Sequence, residues 1–335
     1  MAGAIKRNTY NMNTSANILQ TIEAALAAVP YPTAPEGLYE PIEYVLSAGG
    51  KRLRPTLLLL AYGLYHDDIT PAIPAAIGIE TYHNHTLLHD DLMDKADMRR
   101  GRPTVHRKWD DNTAILSGDT MLILAFEHFL ECHCPRQHEL LSLFARSARE
   151  ICEGQQYDMN FERRTDVSVS EYLEMIRLKT SVLLACALKA GAIAADAPQE
   201  DADMLYAFGE ELGLAFQLQD DYLDVYGDPA VFGKKIGGDI LCAKKTFLLI
   251  NAYDRADQAT RTEMLATLGD KEMAAEEKIK KVTETYNRLG IAELTLKAID
   301  DHYAVAMQAL DSLNVDEEKK KPLHDYALSM LNRKK

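Results

Sequence analysis

Positive charge is scarce in this chain. Across 335 residues, Lys and Arg number 37 against 51 Asp and Glu, a formal net charge of −14, with a pI near 5.2. Phosphate backbones select clustered excess positive charge, which argues against general nucleic-acid binding. Cysteine is rare and odd in number: Cys132, Cys134, Cys152, Cys186 and Cys242. No framework spacing links these residues, which argues against a disulfide scaffold and for reduced thiols in the cytoplasm. No apolar run approaches bilayer length, and no basic-then-apolar segment opens the chain. The expectation is a protein that does not span a membrane. Alternating strand patterns bounded by turn residues are also missing.

Helical spacing is present in their place. Apolar residues recur three and four apart in Ile18 to Val29, Leu57 to Leu64, Ile115 to Leu130, Leu140 to Ile151, Tyr172 to Ile193 and Met204 to Val225. Breakers such as "VPYPTAPEG", "RGRPT" and "YGDPAVFGKKIGGD" separate them. With 47% hydrophobic residues the chain can bury a large core. The pattern predicts an all-α fold in one domain over residues 1–335, with residues 1–15 as a flexible N-terminal segment. Cys132-His133-Cys134, with His138 nearby, offers only half a zinc site and reads better as a helix end stopped near Pro135.

The chemistry concentrates in a repeated pattern. Asp90, Asp91 and Asp94 form one Asp-Asp-x-x-Asp; Asp220, Asp221 and Asp224 form another, 130 residues on. On a helix, i and i+4 share a face, so each triad presents a carboxylate pair in one direction. Carboxylates this close repel one another, and an intervening cation removes the repulsion. Hard oxygen donors select Mg²⁺, Mn²⁺ or Ca²⁺, and Mg²⁺ commonly shares its shell between carboxylates and substrate phosphate. Both triads adjoin apolar residues, "TLLHDDLMD" and "LAFQLQDDYLD", where unpaired charge is costly. Basic islands accompany them: Lys51, Arg52 and Arg54; Arg99, Arg100 and Arg102; Lys234, Lys235, Lys244 and Lys245. Arg forks and Lys point charges beside Gly turns suit phosphate.

These pieces resemble the trans-isoprenyl diphosphate synthases, the polyprenyl synthetase family. The matching stretches are "GGKRLRP", "HNHTLLHDDLMDKADMRRGRPTVH", "LKTSVLL", "FQLQDDYLDVYGD", "FGKKIGGD" and "KKT", in the family's order from about Ala16 onward. The resemblance implies a helical bundle around a deep cavity, with the two Asp motifs on facing helices at its mouth, and a homodimer. It implies that both triads, supported by Asp239, bind three Mg²⁺ ions, or Mn²⁺, around an allylic diphosphate. It gives Arg99, Lys179, Lys234 and Lys244 to that diphosphate and Lys51, Arg54, His83 and Arg100 to isopentenyl diphosphate. Thr180 and Gln217 are implied to border the reacting carbons. The implied reaction is ionisation, condensation and elimination, with the departed diphosphate taking the proton.

Rival readings fit less well. His83, His85 and His89 on one helix invite a metal-dependent HD-type phosphohydrolase, which needs scattered His ligands and no second Asp triad. A class I terpene cyclase carries a different second metal motif, and a non-enzymatic partner subunit usually loses one triad. For product length, His85 and Thr86 lie about one turn below Asp90 and Tyr82 about two. With a small plug above and Tyr82 as a deeper floor, the expected product is geranylgeranyl diphosphate, with farnesyl diphosphate as runner-up.

Overall fold

A computed structural model describes residues 15–228 and 236–331. The N-terminal segment expected over 1–15 falls, Ser15 excepted, outside the described residues, as do Lys234 and Lys235. The described chain is helical nearly throughout, as the apolar spacing predicts. Its helices are α1 (Ser15–Ala28), α2 (Glu40–Leu46), α3 (Leu53–Gly63), α4 (Ile73–Met93), α5 (Val105–Lys108), α6 (Asp111–Glu131), α7 (Gln137–Glu162) and α8 (Val169–Ile176). There follow α9 (Val182–Ala194), α10 (Gln199–Tyr226), α11 (Gly238–Leu241), α12 (Phe247–Arg255), α13 (Gln258–Gly269), α14 (Ala275–Arg288), α15 (Ile291–Asp311) and α16 (Glu317–Leu331). Among the described residues the only strand pairing is a short antiparallel ribbon, Met98–Arg99 with Arg102–Pro103. α6 ends at Glu131, in keeping with the helix-end reading of Cys132 to Pro135.

The described residues divide into two compact units, one of residues 15–144, 187–205 and 314–323, the other of 145–186, 206–228, 236–313 and 324–331. In the first, α3 buries Leu57, Leu58, Leu59 and Leu60 in succession, so it is a core helix apolar all round. α4 lies close against α6. A Cβ on Gly78 would sit 2.9 Å from the Phe129 ring, and one on Gly118 would overlap the His89 ring. Tyr82 stands edge-on to Phe144 at 5.2 Å, and Phe144 stacks on Phe129 at 4.4 Å.

No uninterrupted apolar run of bilayer length is present, but one described helix has the length and mean composition for crossing a bilayer. Among the described residues, α6 is long and apolar enough by length and composition, with 39% of its apolar window buried. The charges Asp119 and Glu127 break its apolar run without lowering its mean hydropathy enough to disqualify it. It also buries Ala114, Met121, Ala125 and Phe129, as a core helix does.

In the second unit, Phe161, Tyr172, Met175, Ile176, Leu218 and Phe247 share one apolar cluster. Ser168 and Glu171 form a reciprocal capping box that starts α8. Between α8 and α9 the helix widens into a π turn over Arg177–Ser181. Gly154 on α7 and Gly213 on α10 make room for it: a Cβ at either would overlap the backbone at Lys179 or Ser181. Such π turns frequently mark functional sites.

A methyl group on Gly191 of α9 would overlap the Leu58 carbonyl oxygen of α3, which the helix holds in place. Gly191→Ala is therefore expected to cost about 1–3 kcal/mol, seen as a lower denaturant midpoint at unchanged slope. An unchanged midpoint would contradict this packing.

Candidate active site

Each triad occupies the C-terminal end of a long helix, Asp90 and Asp91 on α4 with Asp94 as its C-cap, and Asp220, Asp221 and Asp224 on α10. Unpaired carbonyls make that end partially negative, so carboxylates there are disfavoured and cations favoured. Both triads are also built alike. The first and third aspartates are partly or well exposed, while the middle ones, Asp91 and Asp221, are buried at 5% and 4% exposure.

In the first unit, Arg99 offsets part of the triad's charge. Its Nε donates to Asp91 Oδ2 at 2.7 Å, and its Nη2 lies 3.7 Å from Asp90 Oδ2. Burial raises the Asp91 pKa, with Arg99 opposing, and Asp91 Oδ1 is buried without a hydrogen-bond partner. The short ribbon returns Arg99 toward α4. Tyr44 anchors that ribbon by donating to the Pro103 carbonyl at 2.9 Å. Lys108 Nζ lies 4.0 Å over the Tyr44 ring and 4.2 Å over the Trp109 ring.

The basic island before α3 separates into different roles. Arg54 Nη1 lies 3.1 Å from His83 Nε2. A guanidinium has only donors, so that nitrogen accepts and the ring is neutral. Burial first, then Arg54, Arg100, Arg99 and Arg52, hold the His83 pKa well below its ordinary value. Lys51 is exposed, whereas Arg52 turns inward at 2% exposure. Arg100 donates through Nη1 to the Gly49 carbonyl and to Asn84 Oδ1.

In the second unit, Tyr172 donates its hydroxyl to Asp221 Oδ2, and Gln217 Nε2 donates to Oδ1 at 3.0 Å. Thr180 Oγ1 donates to Gln217 Oε1 at 3.1 Å, which fixes the direction of the amide. Asp224 Oδ2 accepts the Asp239 N–H at 2.9 Å, which ties the start of α11 to the triad. Burial, then the Asp239 charge, push the Asp221 acid up to about 7 against Lys244, Tyr172 and Gln217. Lys179, on the π turn, pairs with Asp158 Oδ2 at 2.6 Å. Lys234 lies outside the described residues.

Of the residues read as setting product length, Tyr82 is buried at 1% exposure among aromatic rings. His85 is held in the α4–α6 seam. Its Nδ1 donates to the Gly118 carbonyl at 2.8 Å, and burial, then His89, lower its pKa to about 4. Thr86 Oγ1 donates to the His83 carbonyl at 2.8 Å. Four contributors carry no signal in the sequence: Tyr172, Asp158, Glu80 and Asn84. Tyr172 and Asp158 meet partners far away in the chain, while Glu80 and Asn84 pair one turn apart on α4 and gain their roles only through the distant Arg52 and Arg100.

The donor chemistry fits a hard divalent ion. Asp90 with Asp94, and Asp220 with Asp224, each provide carboxylate oxygens one helical turn apart. Among the described residues no three His, Cys, Asp or Glu side chains are grouped to hold an ion by themselves.

Comparison with known proteins places the chain in a family. The family model described as Polyprenyl synthetase matches residues 35–286. A short chain isoprenyl diphosphate synthase of Methanocaldococcus jannaschii is 41% identical over 262 residues, 78% of this chain and 79% of the relative. A geranylgeranyl diphosphate synthase of Methanosarcina mazei is 43% identical over 236 residues, 70% of this chain and 73% of the relative. A crystal structure of a geranylgeranyl pyrophosphate synthase superposes with TM-score 0.92 at 44% identity, covering 97% of this chain and 100% of that one.

With Asp221 shifted from the ordinary carboxyl range up to about 7, the folded metal-free chain keeps a proton there that the unfolded chain has lost. Stability therefore falls as pH rises through that window. Asp221→Asn removes the titration. Thermal melts of metal-free protein should show the variant gaining on wild type from about pH 5 to about pH 8. A difference that does not change with pH would contradict the assignment.

Proposed function

The chain belongs to the polyprenyl synthetase family, and we propose that it is a short-chain trans-prenyltransferase that joins isopentenyl diphosphate to allylic diphosphates. The observation that carries this reading is the common build of the two acidic triads, each with an outward carboxylate pair and a buried middle aspartate held by its own partner. Asp90, Asp94, Asp220 and Asp224 would hold Mg²⁺, with Asp239 in support; three ions, or Mn²⁺ in their place, would stabilise the charge on the departing diphosphate. Arg99, Lys179, Lys234 and Lys244 grip the allylic diphosphate. Lys51, Arg54, His83 and Arg100 receive isopentenyl diphosphate, with neutral His83 as a hydrogen-bonding group. Thr180 and Gln217 border the reacting carbons, and the diphosphate that leaves takes the proton lost after condensation.

The product we assign is geranylgeranyl diphosphate, with Tyr82 as floor. The tying of His85 to Gly118 supports Tyr82 over His85 as the limiting side chain. A homodimer is supported by α6, where Ile115, Leu116, Ile123 and Leu130 stand 44%, 59%, 58% and 51% exposed within one face. The odd number and irregular spacing of the five cysteines support a reducing compartment such as the cytoplasm.

Asp90→Ala and Asp220→Ala should each lower kcat on the order of 100-fold or more; near-wild-type rates would refute the assignment. Chromatography of products from dimethylallyl, geranyl and farnesyl diphosphates, each with isopentenyl diphosphate, should give a twenty-carbon end product. Tyr82→Ala should lengthen it, and an unchanged product ladder would remove Tyr82 as floor. A hydrocarbon or alcohol formed without isopentenyl diphosphate would point instead to a cyclase.

A further inference from the structure

We propose that Glu80 and Asn84 are positioning residues for the second-diphosphate site, acting through Arg52 and Arg100; this rests on the reading that isopentenyl diphosphate binds Arg100. Arg52 stands at a left-handed φ of 46° at the start of α3, which turns its side chain inward while Lys51 stays exposed. The Arg52 guanidinium is committed to the protein. Nε donates to Glu23 Oε1 at 2.8 Å, Nη1 to Glu80 Oε1 at 2.7 Å, and Nη2 to the Leu46 carbonyl at 2.7 Å. It therefore serves as the internal counterion of Glu80, which is itself 1% exposed.

Glu80 then fixes the orientation of a neighbouring amide. Asn84 Nδ2 donates to the Glu80 carbonyl at 2.8 Å and to Glu80 Oε1 at 2.9 Å. With both its N–H donors engaged, only Oδ1 can face the other way, and there it accepts from Arg100 Nη1 at 3.3 Å. The same Nη1 donates to the Gly49 carbonyl. Both N–H groups of Nη1 are thereby used, and Nε and Nη2 remain as three donors for an anion. Gly50 closes the arrangement: at φ +140° it lets Arg100 lie flat on the turn, and a Cβ there would come 2.9 Å from Arg100 Cζ. The chain Glu23–Arg52–Glu80–Asn84–Arg100 thus ties α1, α3 and α4 to one outward guanidinium. A buried ion pair costs desolvation; here it sets the direction in which Asn84 presents its acceptor.

A double-mutant cycle tests this. Asn84→Ala removes the acceptor and should raise the KM for isopentenyl diphosphate about tenfold, the worth of one hydrogen bond to a charged group. The kcat and the KM for the allylic substrate should stay within about twofold. In an Arg100→Ala background the same change should add nothing, because the two act as one unit. Additive effects, an unchanged KM, or equal rises for both substrates would overturn the inference. If Asn84→Ala fails to fold, Glu80→Gln, which keeps the side-chain volume, takes its place in the cycle, and the same three results would overturn the inference. Calorimetric titration of wild type with isopentenyl diphosphate separates the two levels. No binding there overturns the assigned site itself, whereas normal binding by wild type and by a folded Asn84→Ala overturns only the positioning role.

Discussion

Two groups of carboxylates, each crowded onto the negative end of a helix, set the terms for this molecule. Asp90, Asp91 and Asp94 close α4, and Asp220, Asp221 and Asp224 close α10. Mutual repulsion and the helix dipole both act against such clusters. The fold meets that cost differently in each unit. In one, Arg99 on a tight ribbon lies against Asp91 and Asp90 as a resident cation. In the other, Tyr172 and Gln217 grip Asp221 and the acid shifts upward, with Lys244 opposing the shift. Either way the middle aspartate is drawn inward, and the pair one turn apart is left to face what comes from outside.

The basic residues show the complementary economy. Arg54 is steadied by a neutral histidine, Arg52 serves entirely inside the protein, and Arg100 is pinned through one nitrogen so that the others project. The π turn places Lys179 and Thr180 beside Asp158 and Gln217, and it exists because Gly154 and Gly213 leave space for it. Small residues and buried ion pairs thus set where the exposed charges lie.

Much of this was legible in the sequence, and the limits are physical. Helical periodicity is a local property, so the all-α fold could be read directly. The triads were equally plain, because i, i+4 spacing on a helix needs no tertiary information. Tyr172 could not be read, since its partner Asp221 lies 49 residues away. Nor could the difference between Arg52 and its neighbours: "KRLR" looks like a single island until the left-handed backbone turns one side chain inward. α6 was legible as a helix over Ile115 to Leu130, but the apolar face it leaves exposed at Ile115, Leu116, Ile123 and Leu130 is set by packing and could not be read. The level of His85 below Asp90 follows from helix geometry, but its hydrogen bond to the Gly118 carbonyl in the α4–α6 seam could not be read from that spacing.

The central claim is that both triads take up a diphosphate through divalent metal. Isothermal titration of an unreactive thiodiphosphate analogue of an allylic substrate, with and without Mg²⁺, tests it most directly. Wild type should bind only with Mg²⁺, and Asp90→Ala and Asp220→Ala should each abolish that dependence. Equal uptake without metal, or an unaltered isotherm in either variant, would contradict the account.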